Sequence, residues 1–387
     1  MKENTNTIKT LRLTYAPTNK ETKDKQSIIK HGLFLTHIIQ LSRALNKIGV
    51  TTTFFSKGKK QFNERIMEFK VFRIQKPQQP FFMLYGRRAM KQINSFKKED
   101  KIDIVHSHNP AYAYYFGLNR KALKGRPLVI TWHGFFPYKT YRLGKIHEFF
   151  LKRLARFAHF IAISQPSVKQ LRKLGVTEDR INFITAGYDP KIMYDTKRKR
   201  EYFLFVGRFV DWKNTETVLR AFKIVLKNSP GERLVIVGDG VLKNSLIDKA
   251  MELGISKAVE FKGSIKATEL SKIYSGAKAT VVPHKYDSFG KTVIESLACS
   301  TPVICTNDDI PKNLEKFLVS FPVSKAEDEI LLAKKMVSIL KNKQENLLKA
   351  KEASLFAEKN YSWDAIARQT NNVYENALNK NKGVEKK

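Results

Sequence analysis

Residues 202–213 read YFLFVGRFVDWK: five residues, Tyr202–Val206, dominated by large apolar side chains, end at Gly207 and Arg208, with Lys213 five positions further on. An apolar run this short, closed by glycine, reads as a strand buried on both faces, as parallel strands in α/β proteins do. Similar runs follow at Arg233–Val237, Val259–Phe261, Ala279–Val282 and Pro302–Thr306, with helical stretches between them. Upstream, the same alternation passes through Leu11–Tyr15, Thr51–Phe55, Ile102–His106, Leu128–Trp132 and Phe160–Ile163. Between the first two of these, Leu33, Phe34, His37, Ile38, Leu41, Leu45 and Ile48 have helical spacing, and Gly49 stands where a C-terminal cap belongs. The pattern restarts near residue 196. A chain of 387 residues is long enough for two cores. The economical reading is two doubly wound parallel-sheet α/β domains in series, 1–195 and 196–360. Residues 361–387 then form a closing helix that packs back toward the first domain, frayed from Asn379.

Composition narrows the classes. Hydrophobic residues make up 42% of the chain, enough to fill cores, which argues against global disorder. The two cysteines, Cys299 and Cys305, cannot build a disulfide framework, and no Cys/His cluster has zinc-ligand spacing. The opening MKENTNTIKT lacks the apolar core of a secretory signal, and no stretch of about 18 apolar residues occurs. The expected location is cytoplasmic, either soluble or peripheral on the inner face of the membrane. Lys and Arg outnumber Asp and Glu by 71 to 36, and the residues up to 195 hold 37 of the basic against 13 of the acidic ones. A field of that sign attracts polyanions: nucleic acid, anionic membrane, or phosphorylated substrates.

Open parallel sheets bind ligands outside the carboxyl ends of their strands. No G-x-G-x-x-G follows the first strand and no G-x-x-x-x-G-K-[ST] occurs, so dehydrogenase and P-loop readings lose ground. What stands at the strand ends is charged. Arg208 supplies a fork of donors and Lys213 a point charge, suited to a diphosphate. Past Pro283 comes Asp287-Ser288-Phe289-Gly290-Lys291-Thr292-Val293-Ile294-Glu295. A helix starting at Gly290 would offer free N–H groups to phosphate. Glu295, one and a half turns in, would accept from a ribose diol, and Asp287 would hold sugar hydroxyls.

At these residues the chain resembles the family 4 retaining glycosyltransferases of GT-B fold, whose two Rossmann-like domains face a central cleft. Gly207-Arg208-Phe209-Val210-Asp211-Trp212-Lys213 matches the family's G-R-x-x-x-x-K, and Asp287 and Glu295 match its two acidic residues. The likeness spans nearly the whole chain. Gly32-Leu33-Phe34-Leu35-Thr36-His37 resembles the glycine loop that opens the first helix. Asp103–His108, Thr131-Trp132-His133-Gly134, Ile163-Ser164, Gly187-Tyr188-Asp189 and Tyr361-Ser362-Trp363 follow in the family's order.

The resemblance implies roles. Arg208 and Lys213 would bind the donor diphosphate and stabilise its departure, with Gly207 beside them. Glu295 would hold the ribose. Asp287, Phe289, Gly290, Lys291, Thr292 and Val293 would surround the phosphates and sugar, largely through backbone N–H groups. His133 would reach across the cleft to the donor sugar, and Gly32 and Leu33 would lie by phosphate and acceptor. The reaction would retain anomeric configuration by front-face displacement, with no metal and no cofactor beyond the nucleoside-diphosphate sugar itself. The sequence departs from the pattern at Asp287, where glutamate is usual, and at Leu33 and Ser300, where glycine is usual. His106 and His108 read as packing or loop residues.

For the acceptor, Lys139–Phe160 reads as a basic amphipathic helix suited to an anionic bilayer, and equally as a core helix with a solvated basic face. The first reading makes the acceptor a lipid or lipid-linked glycan. A nucleic-acid-binding protein would use the same charge, but neither a stacking platform nor a recognition helix is visible. An epimerase, a phosphorylase and a catalytically silent homologue are also compatible with these motifs, and product analysis separates them.

Overall fold

The central strands of the second unit, such as Tyr202–Val206 and Leu234–Val237, are apolar, and the charged residues singled out above stand beyond strand ends. The computed structural model describes residues 7–13, 33–58, 62–66, 68–75, 87–91, 94, 101–133, 144–285, 290–306 and 310–384. They form two compact units, Met1–Thr185 with Ile366–Lys387, and Ala186–Ala365.

In the first unit the strands are β1 (Ile8–Leu13), β2 (Val50–Gly58), β3 (Phe62–Ile66), β4 (Phe69–Gln75), β5 (Ile104–Ser107), β6 (Leu128–Trp132), β7 (His159–Ala162) and β8 (Ile181–Phe183). Their order in the sheet is β3-β4-β2-β1-β5-β6-β7-β8. All neighbours are parallel except β3, which pairs antiparallel with β4. The sheet is the expected doubly wound parallel one, with β3 added antiparallel at its edge, a common addition to such sheets. The chain leaves β1 toward β2 on one side, and β5 lies on the other, so the topological switch falls between β1 and β5. Side chains alternate along β1. Leu11 and Leu13 enter a core with Val105, Ile130, Trp132 and Phe160, while Arg12 faces the opposite side.

Among the described residues before 186, this unit has the helices α1 (Leu33–Lys47), α2 (Pro110–Leu118), α3 (Gly144–Ala155) and α4 (Gln165–Lys173), with further helical residues at 87–91. Local sequence sets their starts. Asn109 Oδ1 accepts from the Ala111 N–H at 2.9 Å ahead of Pro110, and Ser164 caps α4 ahead of Pro166.

The second unit has strands β9 (Tyr202–Val206), β10 (Leu234–Val237), β11 (Val259–Gly263), β12 (Ala277–Val282), β13 (Val303–Thr306) and β14 (Leu318–Phe321), ordered β11-β10-β9-β12-β13-β14 and all parallel. Its switch lies between β9 and β12. The helices are α5 (Thr215–Asn228), α6 (Lys243–Glu252), α7 (Ala267–Ser275), α8 (Lys291–Ala298), α9 (Lys312–Glu315), α10 (Glu329–Lys341) and α11 (Lys343–Tyr361). Tyr188 donates its N–H to Tyr361 O and accepts from the Trp363 N–H, both at 3.0 Å, so two landmarks far apart in sequence meet.

A last helix, α12 (Trp363–Val384), belongs to the first unit from Ile366 onward. It continues past Asn379, where fraying was expected. Lys380 Nζ ion-pairs with Asp179 at 2.5 Å and Asn381 Nδ2 donates to Gly125 O at 2.9 Å, which holds the last turns.

Candidate functional site

The switch point of the second unit gathers the charged residues. β9 ends at Val206, and Gly207 follows with its N–H donated to Val237 O at 3.0 Å. The neighbouring loop after β10 comes very close. Gly238 has φ +142°, and a Cβ there would meet Gly207 O at 1.8 Å; one on Gly240 would meet Phe209 O at 2.5 Å. Only glycine fits at both positions, and their packing fixes the path of the chain that presents Arg208. Arg208 itself is exposed.

Lys213 is half-buried beside the loop after β12. Its Nζ lies 3.3 Å from His284 Nδ1 and 4.1 Å from the Trp212 ring centroid. An ammonium has only donors, so Nδ1 accepts and the imidazole proton resides on Nε2. Lys285 joins the two loops further and also reaches the segment before α10. Lys285 N–H donates to Trp212 O at 3.0 Å, and Lys285 Nζ pairs with Asp211 at 3.0 Å and Glu327 at 2.8 Å. The hydrogen bonds that Lys285 donates to Glu327, then to Asp211, raise its pKa. Asn214, in the left-handed region at φ 58°, donates from Nδ2 to Pro283 O at 3.2 Å and Ala326 O at 2.6 Å.

Gly290 is the N-cap of α8 and brings no side-chain cap. The N–H groups of Lys291 and Thr292 have no intrahelical acceptor. Val293 differs from expectation: its N–H is bonded to Gly290 O at 3.1 Å and its side chain is in the core. Thr292 Oγ1 donates to Val206 O at 3.4 Å, which ties the helix start to the end of β9. Glu295 is 5% exposed. One of its oxygens pairs with Lys291 Nζ at 2.8 Å and the other accepts from Tyr274 Oη at 3.1 Å. Each carboxylate oxygen keeps a further lone pair for a ligand hydroxyl. Burial, then the Glu295 charge, drive the Tyr274 pKa well above its usual value, so its hydroxyl stays a donor.

Gly207, Arg208, Lys213, Gly290, Lys291, Thr292 and Glu295 thus converge at one strand-end region. Asp287, Phe289 and Gly32 lie outside the described residues, as does the side chain of Leu33. His284, Asn214, Tyr274, Gly238 and Gly240 were not singled out from sequence. The glycine pair in Gly238-Asp239-Gly240, directly after an apolar run, was the available signal.

His133 lies in the first unit, directly after β6. Its ring centroid is 6.0 Å from that of His37 and 6.2 Å from that of His108. Burial pushes its pKa down to about 4, so it is neutral near pH 7. His106 and His108 are buried and stacked at 4.3 Å.

Two Rossmann-like units in one chain, each with polar residues at its sheet's switch point, are the architecture of the GT-B class. Residues 35–192 match the profile for Glycosyltransferase Family 4 and residues 193–363 that for Glycosyl transferases group 1. The chain belongs to this glycosyltransferase family. It is 25% identical over 349 residues to an uncharacterized glycosyltransferase of Methanocaldococcus jannaschii, covering 81% of this chain and 86% of that one. It is 26% identical over 306 residues to alpha-monoglucosyldiacylglycerol synthase of Streptococcus pneumoniae, covering 72% and 69%. Among solved structures, the Anabaena HepE protein in complex with UDP matches with TM-score 0.69 and 15% identity over 94% of this chain and 99% of that one.

Proposed function

We propose that this glycosyltransferase moves a hexose from a nucleoside-diphosphate sugar, with retention and without a metal, onto a lipid or lipid-linked glycan at an anionic membrane face. The observation that carries the reading is the convergence of Arg208, Lys213, the α8 N-terminus and Glu295 at the β9–β12 switch. Two cations and two open N–H groups suit a diphosphate, and a buried, oriented carboxylate suits a ribose diol. HepE binding UDP is consistent with a uridine donor.

In the transfer, the bond from the anomeric carbon to the phosphate oxygen breaks as the acceptor oxygen bonds the same face. The acceptor proton passes to the departing phosphate. Arg208 and Lys213 stabilise the charge that develops there; His284, by accepting from Nζ, orients Lys213. Asp287 and a neutral His133 are assigned to sugar hydroxyls. Removing one preorganised donor of this kind costs roughly 10²–10³ in rate.

The acceptor assignment rests on α3. Ile146 and Phe149 are 51% and 50% exposed, and Lys145 and Lys152 are exposed on the same helix, while Leu151 and Leu154 enter the core. The name of the pneumococcal relative, a glucosyldiacylglycerol synthase, supports a lipid acceptor.

The test is nucleoside diphosphate release from UDP-, GDP- and ADP-sugars with anionic lipid extract, run beside Glu295→Ala and Arg208→Ala. Turnover of one donor, lost in both variants, is expected, with the product anomer identified by NMR. Failure of the wild type to bind any donor would overturn the reading, and an inverted anomer would overturn retention.

A further inference from the structure

The first unit holds a second polar cluster that the donor reading leaves unused. Arg12, one residue before the carboxyl end of β1, is fully buried and sits across from His106 in the parallel register. Its Nη2 donates to Tyr374 Oη at 3.0 Å and its Nη1 lies 3.4 Å from His108 Nε2. The guanidinium has no acceptor, so His108 Nε2 must accept and the His108 ring proton is on Nδ1. That Nδ1 and Arg12 Nε are both buried and have no hydrogen-bond partner among the described residues. His106, by contrast, is satisfied on both sides, by Thr131 Oγ1 and by Tyr374 Oη, each at 2.7 Å.

The charge balance is equally incomplete. Burial holds both imidazoles well below their ordinary range, so each is neutral near pH 7. Among the described residues no carboxylate pairs with Arg12. A buried cation is ordinarily paired with an anion, because the desolvation it suffers is not recovered from neutral partners. The cluster also lies at the β1–β5 switch, with His108 immediately beyond the end of β5. That is where an open α/β sheet takes its ligand.

We propose that Arg12 and His108 form a subsite for an oxyanion, a phosphate monoester carried by the acceptor substrate. His108 Nδ1–H donates the hydrogen bond. Arg12 is a positioning residue: it fixes the His108 tautomer and supplies the opposing charge from behind, while Tyr374 and His106 hold Arg12 in place. Assignment to the acceptor rather than to the donor rests on the donor site proposed above for the second unit.

Two isosteric substitutions in the full-length chain test the idea. Asparagine puts an amide donor near the Nδ1 position, and glutamine puts its amide near Nε2 instead. Binding of inorganic phosphate and of glycerol 3-phosphate, with glycerol as the uncharged control, is measured by calorimetry on wild type, His108→Asn and His108→Gln. UDP is titrated separately. Phosphate and glycerol 3-phosphate should bind the wild type, and glycerol should not. His108→Gln should weaken both by about tenfold or more, the effect of one lost hydrogen bond to a charged group. His108→Asn should stay closer to wild type, and UDP affinity should be the same in all three. Absence of phosphate binding to the wild type, or equal phosphate binding by His108→Gln, overturns the subsite. A parallel loss of UDP affinity in His108→Gln overturns its assignment to the acceptor. A wild type that binds phosphate and not UDP would fault the donor reading and leave the subsite standing.

Discussion

Tyr274 and Lys291 between them take one hydrogen bond on each oxygen of Glu295, but they are unequal partners. The Lys291 pair is an i,i+4 contact with a half-exposed lysine side chain, worth about 0.3–0.5 kcal/mol. Tyr274 is fully buried and donates within the core. Tyr274→Phe should therefore cost about 1–3 kcal/mol, and should raise KM for the nucleotide sugar with little change in kcat. Urea unfolding and initial-rate kinetics check this; an unchanged KM would mean that Tyr274 supports the fold alone. Arg208, Lys213 and Glu295 could be singled out from the sequence because they lie in short motifs at fixed spacing. Tyr274 and His284 were not, because their meaning lies in partners 21 and 71 positions away. Arg12 falls within the Leu11–Tyr15 run but was not singled out there, because only the fold reveals that no carboxylate among the described residues meets it.

The imidazoles make a second residue-scale prediction. His133 and His159 have pKa values lowered to about 4 by burial, and His106 and His108 are lowered well below 6.5. Between about pH 4 and 6.5 the unfolded chain binds more protons than the folded one, so stability rises with pH across that window and levels off above it. Each histidine contributes up to about 1.4 kcal/mol per pH unit. Urea midpoints followed by tryptophan fluorescence should fall from pH 6.5 to 4.5; a flat profile would contradict the burial of this cluster.

At the level of elements, the loops after β9, β10 and β12 act as one assembly. Gly238→Ala would drive a methyl into Gly207 O while also demanding φ +142° of a residue with a Cβ. A loss of about 3 kcal/mol or more is expected, with donor binding impaired, because either strain alone ranks among the costly substitutions. Gly231→Ala is the control, since a Cβ there has nothing within 4 Å; its unfolding midpoint should stay within about 0.5 kcal/mol of wild type. The apolar central strands, such as β5, β6, β9 and β12, could be read directly from sequence. β3 and β4 could not. As FNERI and FKVFRIQ they carry charges among the apolar residues, and β3 is the strand at the sheet edge, where charges discourage pairing with other chains. β8, only three residues long, offers no periodicity to detect.

For the molecule as a whole, the charge is the feature that fold and family leave unexplained, and α3 is where it meets exposed apolar surface. If α3 lies on anionic lipid, Ile146→Ser combined with Phe149→Ser should reduce co-flotation with phosphatidylglycerol vesicles several-fold without altering UDP binding. Raised salt should weaken wild-type binding, because the basic residues act through a screened field. Binding to neutral and anionic vesicles alike, or to neither, would argue against this surface.

The first unit is discontinuous in the chain: its sheet comes from the residues before 186, and its last helix from Ile366 onward. During synthesis the ribosome therefore makes all of the intervening unit before it makes Tyr374. Until then Arg12 and His106 lack the hydroxyl that joins them. The unit begun first is the one finished last, and nascent chains halted before α12 should present a complete second unit beside a first one that proteases still recognise as immature.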